Sequence, residues 1–342
     1  MDAQKLNTIA KAMVAKGKGI LAIDESSGTC KKRFDALGVD CTEENRRKYR
    51  QLLVSAPGIE QYISGMILYD ETLRQKDDAG VAFSEVLNKK GIIPGIKVDM
   101  GPKTLALHGN EVVTEGLDGL RERLAEYVKL GAQFAKWRAV ITIGPDMPSQ
   151  ACIAANAHAL ARYAALVQEA DMVPMVEPEI LMDGTHTIER CYEVTAKTLQ
   201  ALFAQMTEQG VVTEGAILKV SMVLAGKDYA QQAQPEQVAE MTVKCLKENV
   251  PATLPGVVFL SGGQSDENST IHLDMMNKIG GMPWPLSFSY GRGIQAPALK
   301  IWAANMNDVE KAQAALAFRA KMNSLASLGQ YSPSLENEKP YA

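Results

Sequence analysis

Eight times along the chain, a short run of β-branched and other apolar residues ends in polar or glycine residues and gives way to a helical stretch. The runs are "GILAIDES" from Gly19, "ISGMILYD" from Ile63, "IIPGIKVD" from Ile92 and "FAKWRAVI" from Phe134. They continue with "MVPMVEPE" from Met172, "ILKVSMV" from Ile217, "GVVFLSGG" from Gly256 and "LSFSYGR" from Leu286. Segments such as "GLDGLRERLAEYVKLGA" and "PEQVAEMTVKCLKEN" have helical character, the second opened by Pro235 at a plausible first helical position. Strands alternating with helices require a parallel sheet. Eight units close it into an α/β fold, a (β/α)8 TIM barrel, where an open doubly wound sheet more often has about five to seven. The weakest strand is the run from Ile63, because Gly65 lowers its β-propensity. Ahead of the barrel, "MDAQKLNTIAKAMVAKGKGI" reads as an amphipathic N-terminal helix. Residues 1–329 therefore form one catalytic barrel domain. Residues 330–342, "QYSPSLENEKPYA", hold two prolines and few apolar groups and form a flexible C-terminal tail.

Composition excludes several partners. A net charge of −4 gives no electrostatic attraction to nucleic acid or to an anionic membrane, so neither is expected. The N-terminus has no apolar signal core. The most apolar long window, "ACIAANAHALARYAALVQEA", is interrupted by His158 and Arg162 and reads as a packed helix. Five scattered cysteines without paired spacing indicate reduced thiols and a cytoplasmic protein.

In such a barrel, chemistry gathers at the carboxyl ends of the strands. The polar residues of the eight runs are Asp24; Lys97 and Asp99; Lys136 and Arg138; Glu177 and Glu179; Lys219; Ser261, Gly262 and Gly263; Gly291 and Arg292. Side chains alternate along a strand, so Lys136 and Arg138 share a face, as do Glu177 and Glu179. Each has a bland reading when taken singly: the aspartate a loop cap, the lysine a snorkelling or paired surface group, the glycines turn residues. Together those readings fail, because several strands of one barrel would carry inward charges to no purpose. Lys219 is the sharpest case, an amine inside "ILKVSMV". A partly desolvated amine near other cations, here Lys136 and Arg138, becomes a nucleophile near neutral pH, which suits Schiff-base formation with a carbonyl. "LSGGQS" offers backbone N–H groups and a hydroxyl to a phosphate, and Arg292 follows the eighth run where barrels often bind one. The four histidines, His108, His158, His186 and His272, lie far apart, so no metal site and no cofactor are expected.

These residues resemble the class I fructose-bisphosphate aldolases. The resemblance runs from about residue 5 to about residue 332 through "GKGILAIDESSG", "GIKVD", "FAKWR", "VPMVEPEIL", "ILKVSMV", "FLSGGQS" and "FSYGRGIQ", in family order. It implies reversible cleavage of fructose 1,6-bisphosphate to dihydroxyacetone phosphate and glyceraldehyde 3-phosphate, in glycolysis and gluconeogenesis, by a homotetramer. Lys219 would be the Schiff-base lysine. Glu177 would be the acid and base of carbinolamine chemistry, helped by Glu179 and Lys136, and Asp24 would take the C4 hydroxyl proton. Ser261, Gly262, Gly291 and Arg292 would hold the C1 phosphate. Ser26, Thr29, Lys97 and Arg138 would stand around the C6 phosphate, with Lys32 and Arg33 matching a basic pair nearby. Three departures stand out: Val220-Ser221 where animal members have Pro-Asn, Met100 where a lysine is usual, and Tyr341 as the penultimate rather than the final residue. The residues alone also admit another Schiff-base barrel acting on a phosphorylated sugar, a metal-dependent aldolase, and a non-catalytic scaffold of the same fold.

Overall fold

The computed structural model describes residues 1–341. Its centre is a closed barrel of eight parallel strands: β1 (Gly19–Ile23), β2 (Ile63–Leu68), β3 (Ile93–Lys97), β4 (Phe134–Ile141), β5 (Val173–Ile180), β6 (Ile217–Val220), β7 (Val257–Phe259) and β8 (Leu286–Tyr290). Each strand pairs with its neighbour in sequence, and β8 closes on β1 through Ile20–Ser289 and Leu21–Tyr290. All eight runs read from the sequence are strands. A small antiparallel ribbon, Pro102–Thr104 with Val112–Thr114, follows β3.

The barrel interior has two storeys. The lower one is apolar: Ile20, Ala22, Ile67, Phe134, Val173, Met175, Ile217 and Val258 form one buried cluster. Leu6, Ala10 and Met13 of the helix Ala3–Met13 belong to the same cluster. Their spacing puts them on one helical face, and that face closes the amino-terminal end of the barrel. Asp2 caps this helix, accepting from the backbone N–H groups of Gln4 and Lys5. Fully burying Leu6 and Met13 is worth roughly 1.5–3 kcal/mol each.

Gly65 has a packing reason that its low propensity hides. A Cβ there would come 3.3 Å from the Phe134 ring, and one at Gly95 on β3 would come within 2.2 Å of it. The two glycines leave the space that Phe134 fills, and β2 forms despite the glycine because both neighbouring strands pair with it.

The C-terminal segment, expected as a flexible tail, lies docked along the barrel's flank. After the helix Val309–Ser327 the chain turns back, Tyr331 is buried, and Pro333–Glu338 form a 3₁₀ turn. The Tyr331 N–H donates to Asp274 at 2.8 Å, and its hydroxyl to Glu336 at 3.0 Å. Glu336 is in turn ion-paired with the buried Arg319. These polar contacts act together with apolar packing: Tyr331 belongs to the main hydrophobic cluster, and Leu335 and Tyr341 pack against it. Ala342, the last residue of that tail, lies outside the described residues. Among the described residues no helix is long and apolar enough to cross a membrane.

Candidate active site

Above the apolar storey the inward positions become charged, and a cavity of about 890 Å³ opens at the carboxyl ends of the strands. Alternation carries the change: Phe134 is followed on the same face by Lys136 and Arg138, and Met175 by Glu177 and Glu179. Ile20 and Ala22 are followed by Asp24, and Ile217 by Lys219.

Four of these groups form a chain of contacts. Lys219 Nζ lies 3.1 Å from Glu177 Oε1, Glu177 Oε2 lies 3.2 Å from Lys136 Nζ, and Lys136 Nζ lies 2.8 Å from Asp24 Oδ2. All four residues are buried. Two ammoniums and two carboxylates balance in charge, which is how such groups survive in a dry interior. Burial alone would raise the Asp24 carboxyl, but Lys136 and Lys219 outweigh it and bring it down to about 2. Glu177 is likewise held below the usual carboxylate range, burial being overcome by Lys136 and Lys219. Burial would push the Lys136 ammonium down, yet Asp24 and Glu177 outweigh that and hold it above its ordinary value. Glu177 Oε2 has the Lys136 ammonium as its ion-pair partner and no aligned hydrogen-bond donor among the described residues. The sequence reading sets Lys219 against Lys136 and Arg138; in the structure Glu177 stands between the two lysines.

A second tier of pairs surrounds the four. Arg138 is ion-paired with Glu179, so Glu179 is engaged away from Lys219. Lys97 pairs with Asp99 at 2.8 Å, and Asp99 also accepts from the Arg138 backbone N–H at 3.1 Å. Two ends of the cavity suit anions. At one, Ser261 leads into Gly262 and Gly263, both at positive φ (49° and 90°), a turn that bares backbone N–H groups. Gly291 and Arg292 open the helix Arg292–Ala304 beside it, and a Cβ on Gly293 would come 3.3 Å from Ser261 Cβ. The second end carries Ser26, Thr29, Arg33, Lys97 and Arg138. Ser26 caps the helix Ser27–Asp35 by accepting from Thr29 N–H, and its hydroxyl lies 3.2 Å from that of Thr29.

Two expected site residues lie elsewhere. Lys32 is exposed on the helix Ser27–Asp35 and does not line the cavity, because one helical step from Arg33 turns it toward solvent. Tyr341 does not line the cavity either; its ring stands edge-on to Phe318, 5.8 Å between centroids, where the docked tail ends. Conversely, Glu25 and Ser289 line the cavity, and sequence reasoning missed both. The Ser289 hydroxyl is buried without a partner among the described residues; its inward register two positions after Ser287 in "LSFSYGR" is the signal that could have found it. None of the four histidines lines the cavity, and no cluster of three or more His, Cys, Asp or Glu that could hold a metal exists among the described residues.

Comparison with known proteins agrees with this geometry. A family model described as fructose-bisphosphate aldolase class-I matches residues 5–341. A probable fructose-bisphosphate aldolase class 1 of Xanthomonas axonopodis pv. citri is 60% identical over 332 residues, 97% of this chain and 99% of its own length. Fructose-bisphosphate aldolase 1 of Toxoplasma gondii is 52% identical, covering 96% of this chain and 91% of its own. A crystal structure of fructose-bisphosphate aldolase from Plasmodium falciparum superposes with a TM-score of 0.95 at 48% identity, over 96% of each chain. With eight parallel strands, a lysine–glutamate–lysine–aspartate chain at their carboxyl ends and relatives matched over nearly their full length, this chain belongs to the class I fructose-bisphosphate aldolase family.

Proposed function

We propose that the contact chain Lys219–Glu177–Lys136–Asp24 carries the reaction of this lyase, the reversible aldol cleavage of fructose 1,6-bisphosphate. The single observation behind this reading is Glu177, whose two oxygens touch the two ammoniums, Oε1 that of Lys219 and Oε2 that of Lys136. Glu177 takes a proton from Lys219, and the freed amine attacks the C2 carbonyl. Glu177 then gives that proton to the carbinolamine oxygen and carries a second from the nitrogen to the same oxygen, so that water leaves and a protonated imine remains. Asp24, ionised throughout the physiological range, takes the C4 hydroxyl proton; the C3–C4 bond breaks, its electron pair flows into the imine, and glyceraldehyde 3-phosphate departs. Protonation of the enamine at C3 and hydrolysis release dihydroxyacetone phosphate. Lys136 stays charged and steadies both carboxylates, while Glu179 fixes Arg138. Ser261, Gly262, Gly291 and Arg292 hold the C1 phosphate; Ser26, Thr29, Arg33, Lys97 and Arg138 receive the C6 phosphate.

Arg292→Ala tests the orientation. Losing a charge-assisted contact of roughly 1.5–3 kcal/mol weakens binding of the bisphosphate and of dihydroxyacetone phosphate alike, about 10- to 150-fold, because the C1 phosphate is common to them. Titration calorimetry that finds weakening only for glyceraldehyde 3-phosphate reverses the assignment.

Tyr341 supplies the C3 proton once the tail leaves the flank for the barrel mouth. Tyr341→Phe keeps the ring against Phe318 and removes only the phenol, so cleavage and enamine proton exchange fall together by about 10²-fold while borohydride trapping persists. Unchanged exchange removes Tyr341 from the site. The enzyme acts as a cytoplasmic homotetramer in glycolysis and gluconeogenesis; five free cysteines and the family resemblance support that setting.

A further inference from the structure

Glu25 follows Asp24 directly, but its carboxylate serves other partners. Arg33 Nη1 donates to Oε1 at 2.5 Å and Gln295 Nε2 donates to the same oxygen at 2.9 Å, while Arg50 Nη1 stands 2.8 Å from Oε2. Arg50 is 2% exposed and Gln295 1% exposed; neither touches the cavity. Arg50 also donates to the Glu25 carbonyl at 3.1 Å, so the whole residue is pinned from the helix Glu43–Ser55.

The partners belong to the two groups of residues proposed to bind the two phosphates. Arg33 is on the cavity wall at the C6-phosphate end, with 29% of its side chain exposed. Gln295 sits in the first turn of the helix that Arg292 opens, its backbone N–H bonded to Gly291 at 3.0 Å and its side chain to the Ala22 carbonyl at 2.6 Å. A methyl on Gly291 would lie 3.8 Å from Glu25 Oε1, which places the carboxylate against the start of the C1-phosphate arm. A phosphate arriving at Arg33 competes with Glu25 for the same guanidinium. Once displaced, Glu25 keeps Arg50 and Gln295, and the helix start bearing Arg292 is what it can draw on.

We propose that Glu25 is a positioning residue that couples the two phosphate arms, through Arg33 on one side and Gln295 on the other. The inference rests on Arg33 and Arg292 binding opposite phosphates. It predicts that occupying one arm improves the other, so the two arginines are not independent.

The test is a double-mutant cycle of Arg33→Ala and Arg292→Ala, run with Glu25 intact and again in Glu25→Asp. Aspartate keeps a charge for the buried Arg50, so the variant folds, but it is one methylene too short to serve Arg33 and Gln295 as well. With Glu25 intact, each arginine change raises KM for fructose 1,6-bisphosphate at least tenfold, and the double change raises it at least fivefold less than the product. In Glu25→Asp the double change equals the product within twofold. Glu25→Asp alone raises KM at least fivefold while kcat moves less than threefold. A double change equal to the product with Glu25 intact overturns the coupling and leaves the phosphate assignment standing; so does the same shortfall persisting in Glu25→Asp. If neither arginine change alters KM, the phosphate assignment itself falls and takes the coupling with it.

Discussion

Lys219→Met abolishes cleavage, by on the order of 10⁴-fold or more, and leaves the barrel folded. The size follows from the chemistry: the other cavity amines, Lys136 and Lys97, are held in ion pairs with Asp24, Glu177 and Asp99, and removing the nucleophile leaves only residual binding effects. Folding persists because methionine keeps the apolar stem between Leu218 and Val220, and Glu177 retains Lys136 as a counter-charge. The positive control is covalent. Sodium borohydride with dihydroxyacetone phosphate, in the presence of EDTA, inactivates the unmodified chain and adds the reduced adduct to the peptide bearing Lys219. An adduct on Lys136 or Lys97, or trapping that requires zinc, overturns the assignment.

Glu177→Gln is the second large effect, and it acts on rate and stability together. The amide cannot carry the proton between Lys219 and the carbinolamine, so kcat falls by about 10²–10⁴-fold. It also leaves two buried ammoniums facing a single carboxylate, Asp24. Breaking a buried ion pair from one side costs roughly 3–5 kcal/mol, and the melting temperature falls accordingly. Rapid-quench measurement of imine formation at a temperature where the variant is folded separates the two. Imine formation at the unmodified rate would remove Glu177 from that step, whatever the melting temperature does.

The strands were legible because each is a compact apolar run with a polar end, and closure into a barrel followed from their number. Asp24, Lys136, Glu177 and Lys219 were legible because an inward charge on an apolar strand has few innocent uses. Their pairing was not. That Glu177 contacts both lysines, while Glu179 turns to Arg138, depends on the stagger of β4 against β5, where Arg138 stands opposite Glu177. Glu25 and Arg50 were hidden for a different reason: "EENRRKYRQ" reads as a solvated helix face, and only packing shows that Arg50 points inward while Arg47 meets Glu44 and Asp78 near the surface. The docked course of the tail was not legible because composition shows neither its contacts to Arg319 and Asp274 nor the packing of Tyr331 and Leu335 on the core.

Phe134 ties together the inheritance of three strands. It fills the volume that a Cβ at Gly95 or Gly65 would claim, two residues below Lys136 on the same face. A larger residue at position 95 is admissible only in a lineage where position 134 has already shrunk, and a smaller residue at 134 leaves a void until 95 or 65 grows. The floor beneath the reactive lysines therefore drifts as a single character: Phe134 and its two glycines change in concert or stay fixed, even though none of them lines the cavity.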